Sequence, residues 1–336
     1  MAKEFVLLTN KKPYYKGNMH CHSTLSDGIK TPEELKEWFK GHGYHFLAIT
    51  DHERTYNQSA LDDEEFITIT SSEISVKEFP AISTGTNRRM KVCHFNIYAK
   101  EQDNDATLFY STLADHYSSP EDRERLAKEL GDATREYTVD YINNLIRTAN
   151  EAGFFVAYNH PRWSLENYGN YGGYEGLWGV EIFNTSCDRA GLYEYDINVL
   201  DDFLRDGKHV FASCGDDNHS ERTCGGAFVM VNAEKLSYKN LIDGLLNGRF
   251  YASTGPEIYD LTVCGNQVHI TCSGAKHITY ATEGRRAAAV HATDTLLTEA
   301  TFTIQPDDGY FRLDVIDEAG CRANTQAYYV KDFEIE

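Results

Sequence analysis

Over its first 250 residues the chain alternates short apolar runs with amphipathic, helix-like stretches, and this alternation restricts the fold more than any other feature. Thr31-Pro32-Glu33-Glu34 is a capping box with proline at the first helical position. Leu35, Trp38 and Phe39 follow at helical spacing, and Gly41 and Gly43 mark the stop. Residues 46–50 are a short apolar run, read as a buried strand. The pattern then recurs. Tyr141, Ile142, Leu145, Ile146 and Ala149 share one face of a helix expected over 139–151, with Gly153 and a strand at 154–158 behind it. A third helix is expected over 195–205, before a strand at 209–213, and a fourth over 238–247. Such an order of elements predicts an α/β fold, a parallel sheet or barrel covered by helices.

Beyond Gly255-Pro256 the helical period disappears. Segments 259–264, 267–272, 277–281, 300–304, 310–315 and 323–330 are rich in β-formers and separated by Gly, Asn and Asp. They predict a small antiparallel β-sandwich. The chain therefore divides into residues 1–255 and 256–336. The tail has no clear row of exposed aromatics, so it is read as a packing or dimerisation domain, which leaves room for a homo-oligomer. Two segments look inserted: 101–136, polar with a helix start at Ser118-Ser119-Pro120-Glu121, and 163–176, a glycine-aromatic stretch holding Trp163, Tyr168, Tyr171 and Tyr174. The second could be a mobile cover or an ordered loop packing its own rings.

Charge narrows the partners. The 336 residues carry 52 acidic against 32 basic side chains, a formal net charge of −20. That disfavours long nucleic acids and anionic membranes, which need a basic face. No run approaches the roughly 18 apolar residues of a membrane span. Residues 1–10 do not resemble a signal peptide, and the eight cysteines form no Cys-x-x-Cys pair, so a reduced, cytoplasmic protein is expected.

The histidines are placed unevenly. In His20-Cys21-His22, strand alternation turns both imidazoles to one side and Cys21 away. Asp27 follows in Ser26-Asp27-Gly28. His52, in Thr50-Asp51-His52, ends the run 46–50, and Glu73 follows the run 66–70. His94 lies within 91–98, His160 follows 154–158, and Asp217 and His219 follow 209–213. Side chains at the carboxyl ends of barrel strands converge on one mouth. Imidazole and carboxylate together are the ligands of borderline and hard divalent metals. His42, His45, His116, His209, His269, His277 and His291 lack this placement and are read as structural.

His20-Cys21-His22-Ser23-Thr24-Leu25-Ser26-Asp27-Gly28 with Ala48-Ile49-Thr50-Asp51-His52 resembles the opening of the polymerase-and-histidinol-phosphatase (PHP) family of metallohydrolases. Glu73, His94, His160-Pro161 and the segment 215–219 match its later motifs in order, covering about residues 16–255. Residues 248–256 and the β-rich tail resemble, more loosely, the carbaryl hydrolase-like branch. The resemblance implies a distorted (β/α)7 barrel and two to three divalent ions, Zn, Mn or Fe. It implies a first ion on His20, His22, Glu73 and Asp217. Glu73 would bridge to a second on His94 and His160, and a third would take Asp27, His52 and His219. Asp216-Asp217-Asn218-His219 departs from the usual Ser-Asp-x-His. Spacing assigns Asp217 as ligand, and Asp51 would support the ligating histidines from behind.

The activity implied is that of a metal-dependent phosphoesterase for a small anionic phosphate mono- or diester, with a bridging water made acidic by the ions. Glu73, Asp217, Asp51 and Arg162 are the catalytic candidates, and Arg162, Asn184 and Trp163 the substrate-binding ones. The basic loop Asn87-Arg88-Arg89-Met90-Lys91 could meet an anion, while Glu181 and Arg249 are read as structural. Two alternatives stand: a carboxyl, carbamate or amide hydrolase using the same ions, and a non-catalytic metal-binding scaffold with an interacting β-sandwich.

Overall fold

The computed structural model describes residues 3–193 and 195–335 and is a mixed α/β structure. The helices form where capping and periodicity direct them. In Pro32–Gly41 the Thr31 hydroxyl accepts from the Glu34 amide, Glu34 accepts from the Thr31 amide at 2.9 Å, and Leu35 and Phe39 are buried. Val139–Glu151, capped by Thr138, buries Ile142, Leu145, Ile146 and Ala149. Pro120–Leu130 begins behind Ser119, Ile197–Arg205 begins two residues later than expected, and Tyr238–Leu246 is capped by Ser237. No helix among the described residues is long and apolar enough to cross a membrane.

Among the described residues, eleven strands precede residue 255: β1 (Glu4–Leu8), β2 (Tyr14–Asn18), β3 (Phe46–Ala48), β4 (Ile67–Ile69), β5 (Ser71–Lys77), β6 (Val92–Ala99), β7 (Phe154–Tyr158), β8 (Gly179–Asn184), β9 (Phe211–Gly215), β10 (Phe228–Asn232) and β11 (Phe250–Ser253). β2, β3 and β4 pair in parallel, as do β7, β8 and β9. Single bridges His52↔Glu73 and Cys21↔Asn218 link the two groups, so neighbours run β2-β3-β5-β6-β7-β8-β9 and back to β2. One expectation is corrected. β6 runs antiparallel to both β5 and β7. The connection 78–91 carries no helix, and without a crossover the chain can only return alongside its own strand. The amino-terminal half of β6 therefore reaches the end of the ring where the parallel strands finish.

The remaining strands are β12 (Ile258–Cys264), β13 (Gln267–Ala275), β14 (His277–Thr282), β15 (Ala287–His291), β16 (Leu297–Thr303), β17 (Tyr310–Ile316), β18 (Arg322–Asn324) and β19 (Tyr328–Tyr329). One sheet runs β1-β12-β13-β16. The other runs β15-β14-β17-β18 and continues through β11 and β10 into β2. Leu261, Ile270, Ile278, Leu313 and Val315 share one apolar core between them. The expected boundary at residue 255 is thus crossed by chain pairing: β1 lies against β12, and β11 against β18. β15 escaped the sequence reading because its Ala287-Ala288-Ala289 run has little strand propensity and lies exposed at an edge.

Candidate metal centre

Just beyond β2, His20 and His22 face the same site, while Cys21 packs in a separate apolar cluster with Leu35 and Phe39. The loop that follows is tied to Asp51. Its carboxylate accepts from the Ser23 amide (2.8 Å), the Ser23 hydroxyl (2.5 Å) and the Ser26 hydroxyl (2.6 Å). Asp51 therefore positions the loop carrying His22 and Asp27 and does not itself face the cluster, which corrects its place among the catalytic candidates. Gly28 is required there, since a Cβ would collide with the His22 carbonyl.

Glu73, on β5, is the hub. Its Oε1 lies 3.3 Å from His20 Nε2, 3.1 Å from His94 Nδ1 and 3.4 Å from His160 Nε2. Its Oε2 lies 3.4 Å from His22 Nε2 and 3.1 Å from His52 Nδ1. Five imidazoles thus surround one carboxylate that is only 1% exposed. Asp217 Oδ1 adds contacts to His22 (3.0 Å) and His20 (3.4 Å). The outer group is Asp27 with His52 Nε2 (3.5 Å) and His219 Nε2 (3.2 Å). Donor atoms close enough to share an ion fall into His20-His22-Glu73, His20-His160-Asp217, Glu73-His94-His160 and His22-Asp27-His52-His219. All nine ligand candidates converge. Asp217 groups with His20 and His160, and His22 also joins the outer group. The first three groups are buried and the last is partly exposed.

The donor set fits divalent ions. Glu73 Oε2 and His160 Nδ1 are buried yet have no hydrogen-bond partner, so each holds a lone pair or proton that the protein leaves unused. Asp217 and His160 also have positive φ values, +51° and +26°, in non-glycine residues. Such backbone persists where its surroundings over-determine it, commonly at functional sites.

Burial alone would lower the His22 imidazole, but the facing Asp217 and Glu73 carboxylates bring it up to about 9. His219 is likewise raised to about 9, Asp27 outweighing burial. Burial opposes ionisation of Glu73, yet His94, His20 and His52 hold its carboxyl well below the usual range. His94 goes the other way: burial pushes it down to about 4, leaving the neutral, ligating form of imidazole at pH 7.

Glu181, read from the sequence as structural, touches two candidate ligands. Its Oε1 lies 2.9 Å from His20 Nδ1, and its Oε2 accepts from the His160 amide at 3.0 Å. Gly215 is needed beside it, because a Cβ there would strike His20 and Glu181. Asn184 is fully buried. Its Nδ2 donates to Glu181 (3.0 Å) and Asp217 (3.2 Å), and its Oδ1 accepts from the Cys187 amide. Its side chain is used within the protein, so the substrate-binding reading is corrected to a positioning one. Asp216 accepts from Thr185 and from the amides of Gly225, Gly226 and Ala227, holding the turn before Asp217. Asn159, not singled out from the sequence, donates to Glu73 Oε1 at 2.8 Å. Glu181→Gln is expected to lower metal affinity or turnover roughly 10–100-fold with the fold intact, as for other residues that orient ligating histidines. Metal titration and circular dichroism check both parts.

A cavity of about 640 Å³ opens over the cluster, walled by Lys77, Arg88, His116, Tyr117 and Trp163 among others. The Tyr117 ring stacks on His52 at 5.1 Å, and Trp163 lies 4.9 Å from both His94 and His160. Arg162 is exposed and lines a neighbouring cleft with Leu165 and Met90, outside this cavity. The chain turns at His160, which faces Glu73, and Arg162 is carried to the outer rim. Arg88 of the basic loop faces the cavity. The segment 101–136, expected only as an insertion, supplies His116 and Tyr117.

No family model matches the chain. A 5′-3′ exoribonuclease of Haemophilus influenzae is 32% identical over 72 residues, 21% of this chain and 24% of that protein, so the match spans about a quarter of the relative's length. Among solved structures, a Bacteroides vulgatus two-domain protein containing a predicted PHP-like metal-dependent phosphoesterase aligns with 95% of this chain and 87% of its own, at 14% identity and TM-score 0.42. An amidohydrolase from Chromobacterium violaceum aligns with 70% of this chain and 96% of its own, at 16% identity and TM-score 0.40. The lesion-specific endonuclease PfuEndoQ from Pyrococcus furiosus aligns over 70% and 56%, at 14% identity and TM-score 0.39.

Proposed function

We propose that the chain is a PHP-type, metal-dependent phosphoesterase acting on a small anionic phosphate ester, with the strand ring as a distorted barrel and the tail as a β-sandwich. The observation that carries the reading is Glu73 buried among five imidazoles, with one carboxylate oxygen lacking any hydrogen bond. His20, His22, Glu73 and Asp217 would hold one ion, Glu73, His94 and His160 a second, and Asp27, His52 and His219 a third. Nitrogen and oxygen donors without thiolate suit Zn, Mn or Fe. Bound divalent cations supply Lewis acidity that makes water acidic and neutralises phosphoryl charge.

The protein's own residues do the rest. Asp51, Glu181 and Asn184 lock the ligating side chains in place, which limits reorganisation during reaction. Trp163 and Tyr117 wall the site and restrict water. Lys77 and Arg88 in the cavity favour an anionic substrate over a neutral ester, a role the sequence reading gave to Arg162. The test is a screen of zinc- and manganese-loaded protein against phosphate mono- and diesters beside carboxyl esters. Phosphate-ester turnover is expected; turnover of carboxyl esters alone would overturn the proposal.

Metal removal should read out in stability as well. A ligand that binds only the native state at a hundred times its Kd stabilises by about 2.7 kcal/mol. Chelator-treated protein should therefore melt several degrees lower, lose activity, and regain both on reloading. An unchanged melting curve would count against ions at this centre.

A further inference from the structure

The cavity over the metal centre has a second, cationic end. β5 places Glu73, Ser75 and Lys77 on one face, and all three line the cavity. At about 3.3 Å per residue, Lys77 stands roughly 13 Å along the strand from Glu73. Arg88 enters from the 78–91 connection and His116 from the 101–136 segment. The Lys77 ammonium is half-buried, yet neither it nor the Arg88 guanidinium has a hydrogen bond or ion pair among the described residues. The acid nearest in sequence to the cluster on this wall, Glu53, is already neutralised by Arg135. Lys77 is attracted by Glu53, but Arg135 already pairs with that carboxylate, so a half-buried ammonium with no ion pair of its own, beside the exposed Arg88 and an open cavity, points to an anionic ligand.

We propose that Lys77 and Arg88, with His116 as a further donor, form a second anion-binding subsite, and that the substrate is a small ester carrying a second anionic group away from the scissile phosphate. The proposal deepens the phosphoesterase reading and rests on it. It gives one strand and two connections that meet here a common purpose: two cations and a hydrogen-bond donor from separate segments facing one anion, across the cavity from the ions that would hold the first phosphate.

The test is a binding measurement that needs no turnover. Metal-loaded, full-length protein is titrated by calorimetry with 1,4-butanebisphosphonate and with butylphosphonate, which share one phosphonate and differ in the second. The bisphosphonate is expected to bind at least about tenfold more tightly, the scale of a charge-assisted contact. That preference should vanish in the double variant Lys77→Ala/Arg88→Ala and survive in Lys77→Arg, with circular dichroism unchanged. Equal affinities in the wild type, or a preference that survives in the double variant, would overturn the subsite. Should the wild type hydrolyse no phosphate ester while the preference holds, the phosphoesterase reading fails and the subsite stands.

Discussion

Glu73→Ala is expected to abolish phosphate-ester turnover and to lower metal content by at least one ion per chain. Glu73 belongs to two of the four groups of donor atoms that could share an ion, and its two oxygens face different imidazoles. Removing it would take away a buried anionic charge shared by two of these donor groups, which would weaken the hold on any divalent ion there. The loss should exceed the roughly 10–100-fold typical of residues that only orient ligands. Glu73→Gln separates charge from packing. The amide keeps the side-chain volume at a position that is 1% exposed, yet it is a poor ligand, so activity should fall almost as far while the fold persists. Metal analysis by emission spectroscopy, with kcat on a phosphate monoester, checks both variants. Persistent turnover in either would mean that the centre is assigned wrongly.

Arg135→Ala should produce the largest loss of stability. Arg135 lies in the polar segment between β6 and Val139–Glu151, yet it is only 5% exposed. Its guanidinium pairs with both oxygens of Glu53 and donates to the carbonyls of Ser75 and Phe109, each at 2.6 Å. Truncation would leave the Glu53 carboxylate buried and unpaired, a penalty of about 3–5 kcal/mol. Chemical denaturation measures it. The double variant Arg135→Met/Glu53→Gln should recover much of the loss, because neither charge is then stranded. The single variant should also weaken substrate binding, since Glu53 adjoins His52 and the tethered segment supplies His116 and Tyr117. A single variant as stable as the wild type would show that the pair is dispensable.

The ligand candidates were legible because most follow or lie within a strand-like run: His20 and His22 after β2, His52 after β3, His94 within β6, His160 after β7, Asp217 and His219 after β9, with Asp27 in the loop beyond His22. Glu73 is the third residue of its strand, and was found from the apolar run before it. The supporting residues were not. Glu181 reads as one charged residue in an apolar strand, and nothing local says that its two oxygens meet His20 and the His160 amide. Its signal was available as a buried-strand carboxylate, which needs a partner. Arg162 was misplaced for a related reason. Adjacency to His160-Pro161 sets its distance along the chain, whereas the turn at His160 sets its direction. Lys77 and Arg88 could not be separated from ordinary hairpin charges without the cavity that they share.

Capping, periodicity and strand alternation are local, and they act within a few residues. They were enough to determine the helices at Pro32–Gly41 and Val139–Glu151, the α/β character and the set of nine ligand candidates. Pairing is not local. Only the tertiary structure decided that β6 runs against its neighbours, that β1 joins the carboxyl-terminal sheets, and that the 101–136 segment forms a wall of the cavity. Each depends on which hydrogen-bonding edges and buried charges find partners far along the chain, and no short window of sequence contains both members of such a pair.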